Sequence, residues 1–211
     1  SAGCAVYPAL NNNIESEGRH EAGIEHYRAA AAAYWQKGAD GLYLPWFPWP
    51  IGPEQRQLLT EIEDPDLLHE QPKHYVVPRY VEGEAALGYV CPLPMTIQKG
   101  DDPQTLTLYV ADDPQTSRAL LKLRLGDATT HDSITVSLNG QDLSEQSRKC
   151  TIHQFQYIWF EYPLQRGLLK NGTNQIAVAL HSRPDKLVGP VHLESVELKV
   201  DYAKPQMALP L

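Results

Sequence analysis

Residues 35–44 read WQKGADGLYL and mark the point where a helix passes into a buried strand. Upstream, apolar side chains recur every three or four residues between Glu21 and Lys37, which predicts a helix. Gly38 supplies a left-handed stop for that helix. The run Gly41 to Leu44 is short and apolar, which is typical of a strand buried on both faces of a parallel sheet.

The sequence on either side of this stretch extends the pattern. An apolar run, Ala5 to Leu10, precedes the helix and predicts a first strand. A strand, a helix and a second strand indicate an α/β unit with a right-handed crossover. Downstream, we expect a helix over Glu54 to Glu63, then a short helical turn with Asp64 as its N-cap and Pro65 at the first helical position.

The second half of the chain alternates apolar and polar residues with period two. This alternation, interrupted by turn signals such as Asn139-Gly140, predicts an antiparallel β-sandwich. We therefore expect an α/β domain at 1–82, a sandwich at 83–203 and a tail at 204–211. The predicted strands are Thr105–Val110, Leu121–Leu125, Ser133–Leu138, Phe155–Tyr162, Asn174–Leu180 and Val191–Tyr202.

Length and composition bound the possibilities. The 211 residues are 42 % hydrophobic and 21 % charged, as in ordinary globular domains. A complete eight-fold β/α barrel takes about 250 residues, which is more than the chain provides. The net charge of −8 argues against a nucleic-acid partner. No apolar run approaches the roughly 20 residues of a membrane span.

The cysteines and the first residues of the chain do not indicate in which cellular compartment the protein functions. Cys4, Cys91 and Cys150 are too widely spaced for a zinc site or a dense disulfide framework, although the sequence is compatible with a single disulfide between two of them. The chain begins with Ser1, and no charged and apolar leader follows it. We expect a fragment or a mature product, with any targeting signal outside this sequence.

The residues quoted above resemble a known family. Trp35 to Gly41 follow the pattern W-x-x-G-A-D-G, which resembles the helix that leads into the eighth strand of bacterial glycoside-hydrolase-like TIM barrels. Leu58–Pro65 and Lys73–Val77 are similar to the last helix and the exit of such a barrel. Val136–Gly140 and Leu169–Asn174 resemble the jelly-roll, galactose-binding-like sandwiches appended to glycosidases.

This resemblance implies a fold that is α/β plus all-β: the terminal βα units of a (β/α)8 barrel followed by an antiparallel β-sandwich. It implies the C-terminal portion of a glycoside hydrolase that acts on polysaccharide. The chain alone would be inactive, and it would need the missing N-terminal barrel segment or another copy of itself as partner. The resemblance favours a secreted or periplasmic location. The alternative is a non-catalytic carbohydrate-binding or structural sandwich module.

Glu15 and Glu17 are the candidate catalytic residues. They follow the first predicted strand, and barrel chemistry is carried by loops at the carboxyl ends of the strands. Glycoside hydrolysis needs two carboxyl groups that face the scissile bond. Solvated loop acids are the alternative, since unpaired carboxylates are mostly exposed.

Aromatic residues are the candidate sugar contacts. Trp46, Phe47 and Trp49 lie in the loop that leaves the second predicted strand, and flat indole faces stack on the C–H faces of sugars. Packing beneath the sandwich is the alternative, and for Trp49 it is the favoured one. Tyr157 and Trp159 share one face of a predicted strand and would form a second sugar platform if that face is open.

We predict no metal and no cofactor. His20 and His26 are six residues apart, about 240° around a helix, so they cannot form the metal pair of a zincin helix. The aspartate pairs Asp101-Asp102 and Asp112-Asp113 favour turn capping over calcium. The sequence also has no G-x-S-x-G elbow and no glycine-rich phosphate loop.

Overall fold

The computed structural model describes residues 3–16, 19–69, 71–79, 91–114, 117–153 and 157–202. Its longest helix, α1 (Ile24–Gln36), begins three residues later than predicted. The predicted start at Glu21 is wrong because residues 19–21 pair in an antiparallel hairpin, β1 (Asn13–Ser16) with β2 (Arg19–Glu21). Within the described residues, no helix is long and apolar enough to cross a membrane.

Two further helices follow, α2 (Pro53–Ile62) and α3 (Pro65–Leu68). The predicted cap of α3 is present, since Asp64 Oδ1 accepts a hydrogen bond from the Asp66 amide at 2.9 Å. Apolar side chains of the three helices pack with Leu10 into one cluster, which we call the helical core. Its buried members are Leu10, Tyr27, Ala31, Ala32, Leu58, Ile62, Leu68 and Ala111.

A buried ion pair joins α1 to α2. The Arg28 guanidinium donates to both carboxylate oxygens of Glu61, at 2.6 and 2.9 Å. Burial alone would raise the pKa of Glu61, but the hydrogen bonds from Arg28 and Gln57 outweigh it and hold that pKa below its ordinary value. Trp35 adds a third link by donating its indole N–H to the Ile62 carbonyl at 2.8 Å.

The two apolar runs predicted as strands lie side by side and run parallel. The Tyr43 amide donates to the Pro8 carbonyl at 3.0 Å, and the Leu10 amide donates to the Tyr43 carbonyl at 2.8 Å. These bonds form one isolated parallel bridge between Ala9 and Tyr43. The prediction of a full strand in each run is therefore wrong: both runs are extended, but neither pairs beyond this bridge as a regular strand. We call residues 5–10 and 41–44 the parallel pair; α1 connects its two segments.

Most of the remaining chain is antiparallel β-sheet, which is consistent with the predicted sandwich. One sheet has the strand order β3-β12-β6-β10-β9, with β4 also paired to β12, and the other has the order β5-β11-β7-β8. The strands are β3 (Lys73–Val76), β4 (Met95–Ile97), β5 (Gln104–Val110), β6 (Ser117–Gly126), β7 (Ser133–Leu138), β8 (Gln141–Asp142), β9 (Lys149–His153), β10 (Tyr157–Leu164), β11 (Gly172–Ser182) and β12 (Val191–Tyr202).

The two sheets share a core of alternating side chains. Leu106, Leu108 and Val110 of β5 point into it, while Thr105 and Thr107 point to solvent. Strand β12 departs from this alternation, because a register shift between Leu193 and Ser195 changes the parity of its inward residues. The core is formed where the inner faces of both sheets meet.

Strand β3 connects the helical part to the sandwich. It lies before the predicted boundary at residue 82, yet it pairs along β12 from Glu197↔Val76 to Val200↔Lys73. The Lys73 ammonium is buried, donates to the Leu68 carbonyl at 2.7 Å and forms an ion pair with the Asp112 carboxylate at 2.5 Å. Burial lowers the pKa of Lys73, and the Asp112 carboxylate opposes that shift.

The α1–α2 ion pair generates a stability prediction. Glu61→Gln leaves Arg28 buried without a counter-ion, so the free energy of unfolding at neutral pH should fall by about 3–5 kcal/mol. Glu63→Gln, on the exposed side of the same helix end, is the matched control and should change it by less than about 0.5 kcal/mol. Urea unfolding measures both.

The pH dependence has a definite sign. Folding lowers the pKa of Glu61 below its ordinary value of 4.5. The Glu61 carboxylate therefore contributes fully to the free energy of unfolding above pH 4.5, and this contribution is lost as the pH falls through the lower pKa of the folded protein. Wild-type stability should therefore fall more steeply in acid than that of Glu61→Gln. Parallel curves for the two proteins would contradict the assignment.

Candidate functional site

The loop of residues 45–50 leaves the second segment of the parallel pair. Phe47 turns inward and packs against the helical core, where its ring meets Tyr27 edge-on with centroids 6.1 Å apart. Trp46 and Trp49 turn outward, with 71 % and 83 % of their surfaces exposed. One phenyl ring therefore anchors the loop and two indoles face solvent.

Two tyrosines of the parallel pair are also exposed. Tyr7 and Tyr43 are 61 % and 59 % exposed, whereas Leu42 and Leu44 pack against the helical core. The Tyr7 ring lies against Gly41, where an added Cβ would stand 2.5 Å from Tyr7 Cε1. The absence of a side chain at Gly41 thus makes room for the Tyr7 ring.

The candidate carboxylates lie in or beside the first hairpin. Glu15 is in β1, which follows the first segment of the parallel pair as expected, but its side chain lies outside the described part of the structure. Glu17 and its neighbour Gly18 lie outside the described residues altogether. Both assignments stay predictions.

The structure brings together a buried polar network that the sequence did not reveal. The Glu197 carboxylate, which is fully buried, accepts hydrogen bonds from Ser16 at 2.9 Å and from Ser195 at 3.0 Å. His74 lies 2.8 Å from the same carboxylate through Nε2. His26 stacks on His74 with centroids 4.2 Å apart and places its Nε2 3.1 Å from Ser16 Oγ.

The hydrogen bonds fix how this network can act. The Gly23 amide donates to His26 Nδ1 at 3.1 Å, so a neutral His26 carries its proton on Nε2 and donates it to Ser16. The Ser16 hydroxyl in turn donates to Glu197. A nucleophilic serine needs the opposite arrangement, with the histidine accepting the hydroxyl proton. The network is therefore a positioning device that ties β1 and α1 to the sheet.

The predicted platform on β10 is only partly open. Tyr157 is 36 % exposed, but Trp159 is only 9 % exposed. Lys122 Nζ lies 4.9 Å from the centre of the Trp159 ring, and the Arg124 guanidinium lies 5.9 Å from it. The sequence predicted a sugar platform here only on the condition that this face is open; long basic side chains of the neighbouring strand β6 lie over the Trp159 ring, so Tyr157 is its more accessible member.

The cysteines and the acidic residues are further candidates for reactive or metal-binding groups within the described residues. All three cysteines lie in the described part of the chain as free thiols, Cys4 and Cys150 exposed and Cys91 half-buried. Among the described side chains, no group of three histidine, cysteine or acidic residues could hold a metal ion. Asp112 instead pairs with Lys73.

Comparisons with known proteins give the following findings. No protein-family model matches the chain, and a search of curated proteins found no match. Similar solved structures include BuGH86 in complex with neoagarooctaose, at 15 % identity and a TM-score of 0.41, covering 61 % of this chain and 18 % of that one. They also include BpGH86A, a β-porphyranase of glycoside hydrolase family 86 from the human gut bacterium Bacteroides plebeius.

The second structure is 19 % identical, with a TM-score of 0.40, and the likeness covers 64 % of this chain and 21 % of that one. The chain therefore spans about a fifth of the length of the structures it matches. TM-scores of this size do not establish a shared fold.

The buried network generates a third prediction. His74→Phe keeps the ring that stacks on His26 but removes one donor to the Glu197 carboxylate. The free energy of unfolding should fall by about 1.5–3 kcal/mol, the range for hydrogen bonds to charged groups. His131→Phe, in an exposed loop, is the control and should leave stability nearly unchanged. If urea unfolding showed equal effects of the two changes, the hydrogen bond between His74 and Glu197 would not contribute to stability.

Proposed function

We propose that this chain is a carbohydrate-binding portion of a glycoside-hydrolase-like protein, built from terminal βα units of a (β/α)8 barrel and a jelly-roll sandwich. The observation that carries the proposal is the pair of exposed indoles, Trp46 and Trp49, on the loop that follows the second segment of the parallel pair. Loops at the carboxyl ends of parallel strands are where ligands bind in barrel and open α/β folds.

The exposure of the indoles supports a binding role over a packing role. A tryptophan stabilises a fold mainly by burying its large apolar surface, and these two bury little of it. Phe47 already anchors the loop to the helical core. Indole faces left in water next to Tyr43 suit the apolar C–H faces of a sugar chain.

The parallel pair supports the proposed barrel. The bridge to Tyr43 uses the carbonyl of Pro8 and the amide of Leu10, so the amide and carbonyl of Ala9 itself point away from Tyr43. Within the described residues, neither of these two Ala9 groups makes a hydrogen bond. Such an edge can pair with a further strand. That strand would come from the missing N-terminal barrel segment or from another copy of the chain.

Glu15 and Glu17 remain candidates for one of the two carboxyl groups that glycoside hydrolysis requires. With the partner carboxyl supplied by another barrel segment, the chain alone should be inactive. Hydrolysis of aryl glycosides or polysaccharide by the purified chain at ordinary rates would refute this part of the proposal.

Affinity electrophoresis through gels that contain neutral or acidic polysaccharides tests the binding role. A polysaccharide that binds should retard the wild-type chain. Trp46→Ala and Trp49→Ala should each weaken that binding by about 2 kcal/mol, or roughly thirtyfold, as for a central aromatic contact. Neither change should lower the midpoint of thermal unfolding, because both side chains are exposed.

Val188→Ala is the matched control, since this side chain is 97 % exposed and belongs to the connection between β11 and β12 rather than to the loop of residues 45–50. It should migrate as the wild type does. If retardation survives both tryptophan changes but is lost in Tyr157→Ala, the alternative of a sugar-binding sandwich is correct. If no polysaccharide retards the wild type, the sandwich has a structural role only.

A further inference from the structure

The outer face of the six-stranded sheet, opposite the core that the two sheets share, is buried at one end and open at the other. Cross-strand pairs set four charged residues in one row: Glu197 of β12, Lys122 of β6, Glu161 of β10 and Lys149 of β9. Along β12, β6 and β10 they alternate with residues of the shared core. Glu197 is fully buried and bonded to the first hairpin, whereas the Lys149 side chain is 72 % exposed. The part of this face on β6, β10 and β9 is therefore accessible to a ligand.

Cations lie over aromatic rings on this accessible part. We call it the basic face, and its members are Lys122, Arg124, Lys149, Tyr157, Trp159 and Glu161. The Arg124 guanidinium lies 5.1 Å from the centre of the Tyr157 ring and 5.9 Å from that of the Trp159 ring. Because Tyr157 is 36 % exposed, a ligand on this face meets an aromatic ring and a guanidinium together.

Cations outnumber carboxylates on the basic face. Glu161 is its one carboxylate, and the ammonium groups of Lys122 and Lys149 lie 3.3 and 3.4 Å from the Glu161 oxygens. With Arg124, three cations stand against one anion, a local net charge of +2 in a chain whose net charge is −8. An anionic ligand is therefore attracted to this face although the whole chain repels it.

The carboxylates that border the basic face do not cancel this charge. Glu197 lies opposite Lys122, and counting it as well still leaves a net charge of +1. Its buried carboxylate is in any case bonded to Ser16. Glu194, whose side chain lies against Gly126 beside the Tyr157 ring, is paired with Arg79 at 2.6 Å.

The spacing of the outer cations indicates the kind of anion that fits. Arg124 lies opposite Trp159, and Trp159 lies opposite Thr151 of β9, two residues from Lys149. Neighbouring strands are about 4.8 Å apart and residues on one face repeat about every 7 Å, so the Cα atoms of Arg124 and Lys149 are about 12 Å apart. Cations at this separation suit anionic groups repeated along a sugar chain.

We propose that the basic face binds an acidic polysaccharide, one that carries sulfate or carboxylate groups. Arg124 donates paired hydrogen bonds to one anionic group, Lys149 meets another, and the exposed part of the Tyr157 ring takes a C–H face of the sugar. The choice of a polysaccharide over another polyanion rests on the proposed function. Residues 38–55, which include the loop of residues 45–50, contain no lysine or arginine, so the two surfaces offer different charge.

Affinity electrophoresis through gels that contain dextran sulfate or polygalacturonate tests the proposal, and the two polymers distinguish sulfate from carboxylate groups. At least one of them should retard the wild type. Raising the salt from about 0.05 to about 0.5 M should weaken the retardation several-fold, because salt screens exposed charges.

Three charge-removing variants locate the binding. Arg124→Gln should weaken it about tenfold, as for the loss of a hydrogen bond to a charged group, and Lys149→Gln about threefold. Lys149 is mostly exposed, so its variant should fold like the wild type and keeps the test valid if Arg124→Gln is unstable. Lys186→Gln, in the connection between β11 and β12, is the control with the same change of net charge and should bind as the wild type does.

The outcomes that overturn the proposal are distinct from those that test the loop of residues 45–50. No retardation by either acidic polymer would overturn it, as would equal losses in Lys149→Gln and Lys186→Gln. Retardation by single-stranded DNA but by neither polysaccharide would overturn the choice of ligand. Binding that persists in Trp46→Ala but is lost in Arg124→Gln supports the basic face even where the loop binds nothing. The reverse result supports the loop alone and overturns the basic face.

Discussion

The buried carboxylate of Glu197 fixes how the two parts of the molecule meet. It lies on the outer face of the six-stranded sheet, and burying a carboxylate without partners costs several kcal/mol. Its donors come from Ser16 of the first hairpin, from His74 of β3 and from Ser195 of β12 itself. Ser16 joins the two sheet residues at this carboxylate only when the hairpin docks on the sheet, so Glu197 ties the hairpin, and with it the adjoining parallel pair, to the sheet.

The same docking explains why several strands are buried on both faces. Strand β12 carries Ser195 and Glu197 at positions where a one-sided sheet would expose them, yet both are buried. At the other end of the interface, Lys73 reaches from β3 to the end of α3 and to Asp112 after β5. The pairing of Lys73 with Asp112, like that of Ser16 with Glu197, joins distant parts of the sequence and ties the helical part to the sheets.

Elements fixed by local chemistry were predictable from the sequence. Asp64 caps α3 as expected, Gly38 adopts the positive φ of a helix stop, and Asn139-Gly140 turns between β7 and β8 with positive φ at both residues. The pairing of β3 with β12 was not predictable, because a four-residue strand has no periodicity of its own. The hydrogen-bond network around Glu197 was not predicted for a related reason: Ser16 and Glu197 are 181 residues apart, and neither occurs in a recognisable motif.

The sequence pattern could not predict which aromatic side chains of the candidate site are exposed. The period-two alternation correctly predicted that Tyr157 and Trp159 lie on one face of β10. It could not show that Lys122 and Arg124 would cover the Trp159 ring. Trp49, for which packing was favoured, is the most exposed aromatic residue of its loop, since Phe47 alone satisfies the need for an anchor. Which aromatic in a loop turns inward depends on the space beside the helical core.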